Sequence, residues 1–108
     1  MSIFLSIDFG TSCIKVSVID SGLHVKQSAT VRYPYILLPG EKNEIDPIKL
    51  WDACYKACAE IDPALRNRVD LICYDTFSPS PVLVKSDGAL AYPNIITHMD
   101  RRSRAQSD

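Results

Sequence analysis

Apolar and polar positions alternate along the first third of the chain. Residues 3–8 and 13–20 read as strands, with Ile14, Val16 and Val18 on one face of the second. Ser21-Gly22, directly after Asp20, signals a hairpin turn, so a third strand is expected through residues 23–33. Together these make a meander of three antiparallel strands. Residues 34–46 carry Pro34, Pro39, Gly40 and Asn43 and read as a loop. The period then changes: Leu50, Cys54, Ala57, Cys58 and Ile61 recur at helical spacing. Asp46 suits the N-cap of that helix and Pro47 its first position. Trp51 and Tyr55 lie beside the apolar stripe, and Trp51 is expected to anchor the helix to the sheet. Pro63 ends the helix, and residues 63–66 allow one extra turn.

Residues 69–74 read as a fourth strand, central in the sheet and parallel to its neighbour, as strands after a helix commonly are. Residues 75–81 contain Pro79 and Pro81 and do not form regular strand. Val82-Leu83-Val84 resumes extended structure, Ser86-Asp87-Gly88 turns, and residues 90–96 are expected to return as a hairpin partner. The tail from residue 100 is polar and has no core stripe.

At 108 residues the chain suits one small domain with a core of its own. A net charge of −1 gives no support to nucleic-acid or membrane-surface binding. No targeting segment and no span-length apolar run is apparent. The four cysteines form no Cys-x-x-Cys pair, and only His24 and His98 stand by to complete a zinc site. They read as small apolar residues of a reducing cytoplasm. Arg101, Arg102 and Arg104 crowd together and read as a solvated tail.

The chemistry is concentrated in Asp8-Phe9-Gly10-Thr11-Ser12-Cys13-Ile14-Lys15, a tight turn between two strands. Gly10 lets backbone approach an anion closely. The turn's N–H groups can form an anion-binding concavity. Thr11 and Ser12 offer hydroxyls, Lys15 a cation, and Asp8 a carboxylate for a divalent metal, directly or through water. The pattern is neither the P-loop nor the dinucleotide fingerprint.

Four stretches, in order, resemble the N-terminal part of the FGGY carbohydrate kinases, the group that includes xylulokinase, gluconokinase, ribulokinase and glycerol kinase. They are Ile7 to Lys15; Pro39-Gly40-Glu41 through Asp46-Pro47 to Trp51; Val82 to Gly88; and His98-Met99-Asp100-Arg101-Arg102. The resemblance implies an α/β fold, a ribonuclease-H-like (actin-like ATPase) half-domain whose mixed sheet opens with three antiparallel strands and is incomplete at its C-terminal side. It implies transfer of the ATP γ-phosphate to a hydroxyl of a sugar or polyol, with Mg²⁺ as cofactor. In that scheme Asp8 helps place the metal, and Gly10, Thr11, Ser12 and Lys15 hold phosphate. Phe77, Ser78, His98, Asp100 and Arg102 would frame the sugar, with Asp100 on a hydroxyl. Relatives carry Gln-Met-His or Arg-Glu near residues 75–81; this chain carries neither, so no particular sugar transfers. The catalytic base and the adenine-binding domain are expected beyond Asp108, and the isolated chain is expected to lack kinase activity. The competing expectation is a non-enzymatic dimerising or regulatory remnant of a kinase gene, present as a homodimer.

Overall fold

The computed structural model describes residues 1–107. In chain order its elements are β1 (Ile3–Phe9), β2 (Cys13–Asp20), β3 (Val25–Arg32), β4 (Ile36–Leu38), β5 (Lys42–Ile45), α1 (Pro47–Glu60), α2 (Pro63–Arg66), β6 (Leu71–Thr76), β7 (Ile95–Ile96) and α3 (Arg104–Ser107). They fall into two units. One holds Met1–Tyr33 and Trp51–Phe77; the other holds Pro34–Leu50 and the described residues from Ser78 onward.

The first unit is a four-stranded sheet in the order β3-β2-β1-β6. β1 and β3 each run antiparallel to β2, and β6 runs parallel to β1. This is the mixed α/β topology expected of a ribonuclease-H-like half-domain. Strand alternation sorts the side chains. Ile3 and Leu5 of β1, Ile14, Val16 and Val18 of β2, and Ala29 of β3 are buried, as are Ala53, Cys54 and Ala57 of α1 and Ile61 beyond it. Burial pushes the Cys54 thiol up to about 11, with Cys58 adding to it, so the thiol stays protonated and inert. The hairpin after β2 is locked by Asp20, whose carboxylate accepts from the backbone N–H groups of Gly22 and His24 and pairs with Lys26 at 3.0 Å. Those bonds, led by the one from His24, hold its carboxyl well below the usual range against the cost of burial.

Two expectations for this unit are corrected. β6 is an edge strand rather than a central one. All six of its residues are exposed, because among the described residues only β1 pairs with it. Trp51 is not buried. Its ring is 53% exposed and meets Tyr55 edge-on, centroids 5.5 Å apart. The buried positions of α1 are the small residues Ala53, Cys54 and Ala57 instead. Truncating Trp51 therefore removes a half-exposed ring and one aromatic pair, worth about 0.5–1.5 kcal/mol beyond area burial, rather than a core anchor.

The second unit contains a three-stranded antiparallel sheet in the order β4-β5-β7. Residues 34–46 are thus not simply a loop. Gly40 (φ 82°) and Glu41 (φ 59°) make the left-handed turn that lets β4 fold back on β5. Asp46 caps α1 as expected: its Oδ1 accepts from Ile48 N–H at 2.9 Å and its carbonyl from Leu50 N–H. The hairpin expected from residues 82–84 with 90–96 forms beside its turn, where Val84 bridges Leu90, Lys85 N–H bonds the Ala89 carbonyl at 2.7 Å and Ala91 N–H the Leu83 carbonyl at 2.8 Å, while Ile95 and Ile96 pair with β5 instead. The polar tail closes in α3.

Candidate functional site

In the first unit, the turn between β1 and β2 gathers the residues singled out for phosphate. Gly10 N–H bonds the Cys13 carbonyl at 3.0 Å. A β-carbon at Gly10 would lie 2.9 Å from that same carbonyl oxygen, so no larger residue fits without moving backbone. The turn is held from below by the Tyr33 hydroxyl, which donates to the Gly10 carbonyl, and by Tyr33 N–H, which bonds the Ser12 carbonyl. Thr11 and Ser12 are exposed at its tip. Sequence reading did not single out Tyr33. Its signal is faint, an aromatic at the end of a strand just before Pro34.

Asp8 and Lys15 are cross-strand partners, and Asp75 of β6 is the register partner of Asp8 on its other side. Alternation puts all three on the sheet face opposite the buried isoleucines and valines. Asp8 is exposed, and no hydrogen bond or ion pair from another described side chain engages its carboxylate. No group of three His, Cys, Asp or Glu side chains is placed to hold a metal among the described residues. A single exposed carboxylate is what Asp8 offers at this position. Phe77 is half-buried at the end of β6, its N–H bonded to the Phe9 carbonyl.

In the second unit, His98, Asp100 and Arg102 come together at a cavity of about 340 Å³. Pro79, Pro81 and Ile96 supply apolar wall, and Thr97 and Ser103 complete it. Ser78 is exposed and is not part of this wall. The Ser80 hydroxyl accepts from His98 N–H at 3.3 Å, which ties the proline segment to the wall.

Behind the cavity lies a charged network that sequence reading missed. Glu44 of β5 is fully buried. It accepts from the Tyr92 hydroxyl at 2.5 Å, from Asn94 Nδ2 at 2.8 Å, and from Arg102 Nη2. Burial pushes its carboxyl up, but those three donors together outweigh burial and hold it below the ordinary value. Arg102 also grips Asp100, Nε to Oδ1 at 2.8 Å and Nη2 to Oδ2 at 2.7 Å. Arg102 N–H adds a bond to Oδ1 and Asn43 N–H one to Oδ2. Arg102, first of all, holds the Asp100 carboxyl well below the usual range. All four acceptor positions of Asp100 are filled by protein donors. Arg102 also lies over the Tyr92 ring, 5.9 Å from its centroid. The tail of the sequence is thus a structural strut as far as Arg102, while Arg101 and Arg104 are exposed.

No family model matches this sequence, and no curated protein matches it. Solved structures do share its fold. A xyloylose kinase from Brucella ovis superposes with a TM-score of 0.88 at 21% identity over 96% of this chain. A gluconate kinase from Lactobacillus acidophilus gives 0.80 at 24% over 97%, and a Plasmodium falciparum glycerol kinase with ADP gives 0.77 at 23% over 98%. In each case this chain spans 22% of the other's length. The fold is that of a region of sugar and polyol kinases. No helix among the described residues is long and apolar enough to cross a membrane.

Proposed function

We propose that the chain is the N-terminal part of an ATP-dependent carbohydrate kinase of the FGGY type, acting in the cytoplasm on a sugar or polyol. The observation that carries this reading is the β1–β2 turn: a glycine with no room for a side chain, two exposed hydroxyls, and a partner-free carboxylate at the end of the preceding strand. Phosphoryl transfer asks a protein mainly to position groups and to neutralise charge on the phosphoryl oxygens. Gly10, Thr11 and Ser12 are the groups for holding a terminal phosphate, with Lys15 beside them. Asp8 is the residue that would hold Mg²⁺, which would offset the negative charge of the phosphate oxygens. The cavity of the second unit is the sugar-handling part, with His98 and Arg102 as contacts and Asp100 acting through Arg102.

Titration of the ¹⁵N-labelled chain with Mg²⁺·ATP tests the phosphate assignment. The amide signals of Gly10, Thr11 and Ser12 are expected to move with Mg²⁺·ATP and not with Mg²⁺ alone, and Gly10→Ala is expected to abolish the response while leaving signals of β3 in place. Unmoved turn amides at saturating nucleotide would remove the basis for the kinase reading.

A second reading, self-association as a non-enzymatic remnant, is favoured by β6. Leu71, Ile72 and Tyr74 are 54%, 57% and 74% exposed along an edge that no described strand covers. Beside it an apolar recess of about 350 Å³ is lined by Ile7, Phe9, Trp51, Cys54, Ile72 and Tyr74. Uncovered edges and apolar patches of this kind promote association. On this reading sedimentation shows a dimer that Ile72→Lys dissociates; a monomer at all concentrations counts against it.

A further inference from the structure

Building on the reading of the second unit as the sugar-handling part, we infer that its cavity selects neutral polyhydroxy ligands over sugar acids. The cations decide this. Among the residues that line the cavity, Arg102 is the only lysine or arginine. A free guanidinium would attract a carboxylate ligand and hold it with two parallel bonds. Arg102 is not free. Nε and Nη2 are both committed to Asp100, and Nη2 also bonds Glu44. One guanidinium thus faces two carboxylates, and the trio carries a net charge of −1.

Burial sharpens the effect. Glu44 is fully buried and the Asp100 side chain only 4% exposed, so solvent and salt screen them poorly. A carboxylate entering the cavity finds one unused edge of Arg102 and two unscreened negative charges behind it. Arg101 and Arg104 do not line the cavity, and Arg104 stands 3.9 Å from Glu41.

A hydroxyl meets no such obstacle. It needs one donor or one acceptor, and both are at hand. The bonds to Asp100 and Glu44 use Nε and Nη2 and leave Nη1, beside Tyr92, to donate. The exposed His98 imidazole, without a partner among the described residues, can donate from one nitrogen and accept at the other. Pro79, Pro81 and Ile96 offer apolar surface to the C–H face of a carbon chain. Asp100 takes no part in direct contact, since its acceptor positions are full; it is a positioning residue that aims and neutralises Arg102.

D-glucitol and D-gluconate differ only at C1, a CH₂OH in one and a carboxylate in the other, and make the test. The ¹⁵N-labelled 108-residue chain is titrated with each at equal ionic strength, following the amides of His98, Met99, Arg102 and Ser103. D-glucitol is expected to shift these signals, with D-gluconate weaker by at least about tenfold. Gluconate binding as tightly as glucitol or tighter overturns the selectivity and leaves the sugar-site reading standing. No shift with either ligand overturns the sugar-site reading, and the selectivity falls with it. Glu44→Gln, checked for folding by its amide dispersion, is expected to raise gluconate affinity several-fold while glucitol affinity holds; D-glucamine, which carries an ammonium at C1, reads the same field on the unaltered chain and is expected to bind at least as tightly as D-glucitol, and its binding as weakly as D-gluconate overturns the charge argument. A folded variant with unchanged discrimination overturns the charge argument.

Discussion

Glu44→Ala is expected to destabilise the second unit by roughly 3 kcal/mol, because removing one member of a buried charged network leaves the others unpaired. The Tyr92 hydroxyl and Asn94 Nδ2 lose their acceptor, and Arg102 loses one of its two carboxylates. Asp100 still neutralises the guanidinium, which keeps the loss below the largest values seen for isolated buried ions. Amide hydrogen exchange at Ile45, Ile95 and Ile96 reads the stability of β5 and β7 directly. Glu44→Gln, which keeps shape and one acceptor, is expected to lose less. Protection factors in β5 unchanged by Glu44→Ala would show that the network carries no stability.

Acidification is expected to unfold the chain by a related route. Asp20, Glu44 and Asp100 are all held below their ordinary values of 3.8, 4.5 and 3.8. The folded chain therefore binds fewer protons at these sites than the unfolded chain does. Their contribution is complete above the unfolded values and is lost as pH falls through the depressed folded ones. Urea midpoints should hold steady above about pH 5 and drop steeply below it. Asp20→Asn should shallow that drop by removing one of the three depressed carboxylates, at the cost of a lower midpoint at pH 7. A midpoint that rises on acidification would contradict the direction of all three shifts.

Much of the first unit was legible in the chain. Ile14, Val16 and Val18 announce a half-buried strand through period two alone, and Asp46-Pro47 announces a helix start through capping chemistry. The β1–β2 turn was legible for the same reason, since Gly10, Thr11 and Ser12 follow a strand directly. The second unit was not. β5 is four residues long with both Glu44 and Ile45 fully buried, so it shows no alternation, and Pro39 and Gly40 beside it suggest a loop. Trp51 misled because size suggests a core anchor. The helix instead buries two alanines and a cysteine and leaves the ring half exposed.

Local order, then, follows from neighbours in the sequence: the opening meander, the capped helix and the phosphate-type turn depend on contacts within a few residues. Which strand lies at the sheet edge, and which second carboxylate joins Asp100 on Arg102, depend on partners far apart in the chain. Glu44 and Arg102 are 58 positions apart and bonded. No local pattern encodes that pairing; it arises only when folding removes water from Glu44 and brings the guanidinium, already held by Asp100, within reach of it.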